Sequence, residues 1–187
     1  CKQTAISENH QVRQALSKVL ALLSSKPAML RTIPANIPVQ LADRDLLKRL
    51  AGRHTAGFTH SNITLQNGRR IKEEYRIYIL FGMPEIEFEA VLAHELLHVW
   101  LKHHHIKMSN RKTEGFCNLG SGLVYKSWKT KMARLLLKKM EEDRDPVYGG
   151  GYRLMNQKLR RSGWQRLKAS LPFRVGSFSL SWKNRFF

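Results

Sequence analysis

Cysteine and acid are what this chain has little of. Cys1 and Cys117 are its only cysteines in 187 residues. Two cannot build a disulfide framework and nothing forces them to pair, so a reducing compartment, the cytoplasm, is the expected location. Asp and Glu number 14 against 33 Lys and Arg, a formal charge of +19. That excess invites nucleic acid, an acidic protein or a membrane surface as partner. Yet there is no zinc-finger spacing, no aromatic pair of the RNA-recognition type and no Gly-rich phosphate loop, and the basic residues are spread out. No specific nucleic-acid partner is expected, and a protein or peptide substrate of acidic character is. No apolar run is long enough to be a transmembrane segment, and no signal peptide is visible. A start at Cys1, without initiator methionine, reads as an excised fragment whose targeting information was removed.

What is present is an ordinary globular chain, 42% apolar, of a length that suits one domain over 1–187. Residues 1–50 read as its helical N-terminal part. Val12, Leu16, Val19, Leu20 and Leu23 recur at helical spacing over 8–24, and Ser24-Ser25-Lys26-Pro27 ends that helix. Val39–Leu41 reads as a short strand, and Asp43 as the N-cap of a helix over 44–50. From Gly52 to Phe81 the pattern is extended, with Asn67-Gly68 as a tight turn and Tyr75, Ile77 and Ile79 on one face. Two or three antiparallel strands are expected there. A helix over 111–140 follows, bent at Gly120-Ser121-Gly122, with Trp128, Met132, Leu135 and Leu136 inward. Asp145–Gly151 reads as a glycine-ended loop, 152–169 as the last helix and Val175–Trp182 as a strand.

The chemistry concentrates in Ala93-His94-Glu95-Leu96-Leu97-His98-Val99-Trp100. On a helix from Pro84 to about Lys102, His94 and His98 stand one turn apart on the same side, about 6 Å along the axis. Two neutral imidazoles so placed fill two corners of a zinc tetrahedron. Glu95 lies about 100° round the helix from His94, so it can reach a metal-bound water rather than the metal, the arrangement a zinc peptidase needs. Leu92, Ala93, Leu96, Leu97, Val99, Trp100 and Leu101 make the helix apolar nearly all round and therefore buried. Buried imidazoles and a buried carboxylate need a partner.

A third protein ligand is required. Glu114, at the start of the next helix, returns a carboxylate to the two histidines over a short distance, and a His₂Glu set with one open position is a catalytic zinc geometry. It is preferred to Glu73, Glu74, His60, Asp143 and Asp145. His105 falls about 10 Å beyond His98 along the helix, too far for the same ion. Asn118, four residues after Glu114, is placed to hydrogen-bond a ligating histidine. For the donor that stabilises a tetrahedral oxyanion the candidates are His60, Tyr148, Tyr152 and Arg153.

Four segments in order carry a resemblance: Tyr78–Pro84, Leu92–Leu101, Glu114-Gly115-Phe116-Cys117-Asn118, and Tyr148-Gly149-Gly150-Gly151-Tyr152-Arg153. Together they resemble the DA1-type peptidases, the C-terminal peptidase domain of plant LIM-domain proteins and of shorter bacterial relatives. The likeness spans about 56–172, and the catalytic core is taken as 52–172. It implies an α+β, zincin-like fold in which a small antiparallel sheet packs on a helix pair carrying the His-Glu-x-x-His motif and a downstream Glu. It further implies a zinc endopeptidase with one Zn²⁺, His94, His98 and Glu114 as ligands and Glu95 as base, and a ubiquitin or other regulatory partner. The ubiquitin-interacting and LIM modules of the plant proteins do not occur here, and Asn118 replaces the usual glutamine. Two alternatives stand beside this reading: an inactive zinc-stabilised basic binding module, and a zinc hydrolase of a non-peptide substrate. An exposed edge strand along the cleft would favour peptide over the latter.

Overall fold

The computed structural model describes residues 5–25, 32–34, 36–67 and 69–173. Cys1, the helix stop at Lys26-Pro27, Gly68 of the tight turn and the expected strand at 175–182 lie outside the described residues.

The fold is α+β, built around one helix. In chain order the elements are β1 (Ala5–Ile6), α1 (Asn9–Ser25), β2 (Val39–Ala42), α2 (Arg44–Ala51), β3 (Gly57–Gln66), β4 (Arg69–Leu80), β5 (Met83–Pro84), α3 (Glu85–His103), α4 (Asn110–Ser127), α5 (Lys131–Glu142) and α6 (Tyr148–Ala169). The amphipathic spacing of α1 delivers Val12, Ala15, Val19 and Leu23 to the core. Asp43 starts α2 by accepting from the Leu46 N–H at 2.7 Å. Pro84 precedes α3, with Glu85 and Glu87 in its first turn, where carboxylates suit the positive end of the helix dipole. The apolar girth of α3 is explained by its neighbours, with α4 and α1 against it and β3 and β4 covering another side.

The sheet order is β2-β4-β3. β3 and β4 pair antiparallel, as the hairpin signal predicts, but β2 pairs parallel to β4. The sheet is therefore mixed. Between β2 and β4 the chain reverses twice, through α2 and through the hairpin, which returns β4 to the direction of β2. Tyr75, Ile77 and Ile79 face the core as expected. β1 and β5 form a separate two-residue pair that ties Ile6 to Met83 at the entrance to α3.

Four local expectations are corrected. The helix over 111–140 is two helices, broken at Trp128–Thr130, where the Thr130 hydroxyl caps α5 by accepting from the Ala133 N–H at 3.1 Å. Gly120 and Gly122 produce no bend and instead lie where α4 crosses its neighbours, Gly120 against the Ala93 backbone and Gly122 against the Tyr152 ring. Because α5 starts afresh, its inward phase shifts. Ala133 is buried, while Met132 and Leu135 are 47% and 54% exposed. Last, Gly149-Gly150-Gly151 is no loop but the first turn of α6, started by Asp145, whose carboxylate accepts from the Val147 and Tyr148 N–H groups at 2.7 Å each. Gly151 serves close approach, since a Cβ on it would overlap the Arg111 carbonyl and one on Gly115 would overlap the Gly151 backbone. Among the described residues no helix is long and apolar enough to cross a membrane.

Candidate metal centre

One turn of α3 separates His94 from His98, and their Nε2 atoms come to 3.0 Å. α4 crosses opposite and presents Glu114, whose Oε2 lies 3.2 Å from His94 Nε2 and 3.6 Å from His98 Nε2. Bonds of zinc length at tetrahedral angles set donor atoms roughly 3.3 Å apart, so three donors already stand at the spacing of one coordination shell. The two imidazoles are only 14% and 18% exposed. The donor chemistry fits zinc: two imidazole nitrogens and a carboxylate oxygen.

The supporting contacts fix this arrangement. Asn118 Oδ1 sits 2.8 Å from His94 Nδ1 and accepts its proton, so that in the neutral ring, the form that binds a metal, Nε2 carries the lone pair. The Asn118 amide also donates to the Tyr148 carbonyl at 3.3 Å, joining the ligand helix to the start of α6. Burial alone would push the Glu114 carboxyl up, but hydrogen bonds from His94 and His98 outweigh it and hold the group well below the ordinary carboxylate range. Burial likewise opposes the His94 imidazolium, and Glu114 and Glu95 overturn that and raise it. A buried site carrying such pressure toward negative donors around a shared centre suits a cation.

A further donor stands beside them. Cys117, fully buried one turn after Glu114, forms with His94 and His98 a cluster whose ligand atoms all lie within 4.8 Å of one another. Burial, then the Glu114 and Glu95 carboxylates, push its thiol well above the usual range. The spacing of Cys117 from Glu114 was the available signal, and only the helix crossing reveals where the sulfur points.

Glu95 turns elsewhere, to β3, where the buried Thr59 hydroxyl donates to its Oε2 at 2.6 Å. Gly57, two residues earlier on the same strand, approaches so closely that a Cβ there would stand 2.8 Å from Glu95 Oε1. His94, Glu95, His98 and Glu114 share one cavity of about 260 Å³ with Arg53, Gly57, Phe58, Thr59, Lys102 and Tyr148. Lys102 extends the His94–His98 stripe by another turn and donates to the Thr59 carbonyl at 3.1 Å. Helical periodicity could have identified Lys102, and strand alternation Thr59; Arg53 had no signal.

The four oxyanion candidates part company. Tyr148 lines the cavity. Tyr152 is 1% exposed with its ring against Gly122 of α4, and its hydroxyl has no hydrogen-bond partner among the described residues. Arg153 donates to the Glu141 and Asp143 carbonyls at 2.8 and 2.6 Å and so clamps the end of α5. His60 lies with Asn62, Glu73 and Tyr78 in a different cavity. The competing acids are also placed: Glu73 Oε2 is 3.8 Å from His103 Nδ1, Glu74 pairs with Lys72, Asp143 accepts from the Asp145 N–H, and Asp145 accepts from the Val147 and Tyr148 N–H groups ahead of α6. His105 sits in the turn after α3, at φ 54°.

The family model described as DA1-like: Protein DA1 matches residues 41–128, just under half of the chain. The match begins before the four resembling segments and stops short of Tyr148–Arg153. No curated protein and no solved structure matches. Over residues 41–128, from β2 through the two helices that bring His94, His98 and Glu114 together, the chain is similar to a DA1-type zincin-like domain and carries a motif consistent with a zinc-binding metalloenzyme site.

Proposed function

We propose that this protein is a zinc-dependent endopeptidase in which His94, His98 and Glu114 hold the ion and Glu95 is the general base. One observation carries the reading: three donors stand at the spacing of a coordination shell while another ionisable group, Glu95, opens into the same cavity but is held by Thr59 and not by the histidines. When bound, zinc lowers the pKa of a water and polarises a carbonyl. Glu95 takes the proton from the attacking water and returns it to the leaving amine. Thr59 keeps that carboxylate aimed while the proton is transferred. Tyr148, whose hydroxyl is pushed up by burial and by Glu114, keeps its proton and donates to the oxyanion.

The edge of the sheet supports a peptide substrate. β3 is an outer strand. Leu80 N–H bonds Ala56 O, so by antiparallel alternation Gly57, Thr59 and Ser61 turn their backbone groups to the open side. The Gly57 and Thr59 carbonyls are taken there by the Thr55 hydroxyl and Lys102. The Thr59 N–H has no partner among the described residues and can receive a substrate carbonyl. A reducing, cytoplasmic setting fits the buried free thiol of Cys117; a ubiquitin-linked partner rests on the resemblance alone.

The decisive experiment is Glu95→Gln, assayed for cleavage of a denatured protein mixture and for bound zinc. Lost cleavage with full zinc supports the reading, and cleavage undiminished overturns it. Cys117 gives the inactive-module alternative its own observation, because a fourth protein donor closes a structural site. In the cobalt-substituted protein, an intense near-ultraviolet thiolate band that vanishes in Cys117→Ser would favour that alternative.

A further inference from the structure

We propose that Arg53, seated on Tyr148 at the mouth of the metal cavity, is a carboxylate-binding subsite that makes the enzyme select acidic peptides. This rests on the endopeptidase reading and names the substrate class for the same cavity.

Four charged side chains line that cavity: Arg53, Glu95, Lys102 and Glu114. Three are engaged within the protein. Glu95 accepts from Thr59, Glu114 lies against two imidazoles, and Lys102 donates to the Thr59 carbonyl and the Ser61 hydroxyl. Arg53 is different. Its guanidinium lies 5.3 Å above the Tyr148 ring, and no carboxylate among the described residues forms a salt bridge with it. Stacking on an aromatic face orients a guanidinium, and although Arg53 also donates to the Tyr148 hydroxyl, its five N–H donors leave a fork to spare. That fork matches a carboxylate in two parallel hydrogen bonds.

The backbone delivers the group there. α2 ends at Gly52, which adopts φ 70° and donates its N–H to the Lys48 carbonyl. This left-handed cap turns the chain off the helix one residue before Arg53. The stacking partner arrives from α6, so two separate elements hold the cation over the cleft. Arg53 is exposed, and Lys48 and Arg49 stand exposed just ahead of it in the last turn of α2. An incoming anion meets attraction before contact. The occupant is a carboxylate, from a Glu or Asp side chain or from a peptide C-terminus.

The test uses the zinc-loaded full chain and a positional library of internally quenched hexapeptides. Each position carries Glu or Gln, and each peptide ends in a free or an amidated C-terminus. Wild type is expected to favour Glu over Gln at one position about tenfold in kcat/KM. Arg53→Gln should bring that ratio to near one, and Arg53→Glu should invert it. A preference for the free C-terminus that Arg53→Gln abolishes would assign the subsite to terminal carboxylates instead of side chains. A ratio left intact by Arg53→Gln, or no preference in wild type, overturns the proposal. The same peptides, fluorescently labelled, are titrated against zinc-loaded Glu95→Gln protein with and without Arg53→Gln. Acid-selective binding without any cleavage by wild type would keep the subsite and discard the peptidase; cleavage without acid selectivity would do the reverse.

Discussion

Two buried carboxylates on α3, Glu89 and Glu95, are 4% and 6% exposed, and they have opposite fates. The Trp128 indole donates to Glu89 Oε2 at 2.6 Å, and Lys18 stands 3.6 Å from its Oε1. Burial pushes its pKa up, against Trp128 and Lys18. Glu95 has one donor from the protein, Thr59, and otherwise faces a cavity shared with two imidazoles and a second carboxylate. Burial alone does not mark a functional acid. Nor does a spare oxygen beside a cavity, for Glu89 lines a cavity too and its Oε1 has no hydrogen-bond partner among the described residues; what marks Glu95 is a cavity shared with two imidazoles and a second carboxylate.

Exchanging each acid sharpens the contrast. Glu95→Gln should lower kcat/KM by about 10³-fold with little change in melting temperature. Glu89→Ala should leave turnover near wild type and cost about 1–3 kcal/mol of stability, because the Trp128 N–H loses its acceptor; denaturant titration measures it. Next in size is Asn118→Ala. It frees the His94 ring and should weaken zinc affinity roughly 10–100-fold, read by competition with a chelating dye. Thr59→Val should lower kcat about tenfold with KM little changed, the effect of a positioning hydrogen bond to a charged group, and Thr59→Ser should restore it.

The smallest effect concerns pH. In metal-free protein His94 is raised above its ordinary 6.5, so its contribution is fully present below 6.5 and is lost as pH rises through the folded value. Glu114 is depressed below its ordinary 4.5, so its contribution is present above 4.5 and lost as pH falls through the folded value. Metal-free protein should therefore melt highest between these limits and lose stability as pH rises above 6.5. Zinc, which needs neutral imidazoles, should reverse that slope. Parallel melting curves with and without chelator decide it.

The same comparison separates what was legible in the sequence from what was not. His94, Glu95 and His98 could be read because one helix carries all three and helical periodicity is local. The return of Glu114 was readable from the short connection between two helices, and the hairpin from its turn and alternation. The parallel pairing of β2 was not, since strand order depends on contacts distant in sequence. The phase of α5 was misread because a helix was carried across Thr130, a capping residue in the middle of an otherwise periodic run. Thr59, Cys117 and Arg53 gain their meaning only from elements that meet in space. The glycines after Tyr148 suggest sharp backbone, and only the crossing with α4 shows that Gly151 serves contact.

That crossing sets the size of the working unit. Gly151 rests on Gly115, one residue from a proposed ligand, and Asn118 reaches the Tyr148 carbonyl on the same interface. The floor under the histidines is thus laid by the stretch that matches the family model, while a wall and part of the footing come from α6, beyond residue 128. A piece cut at that boundary would keep all three donors and lose the surface that holds them in register. Its fault would be slack, not missing parts.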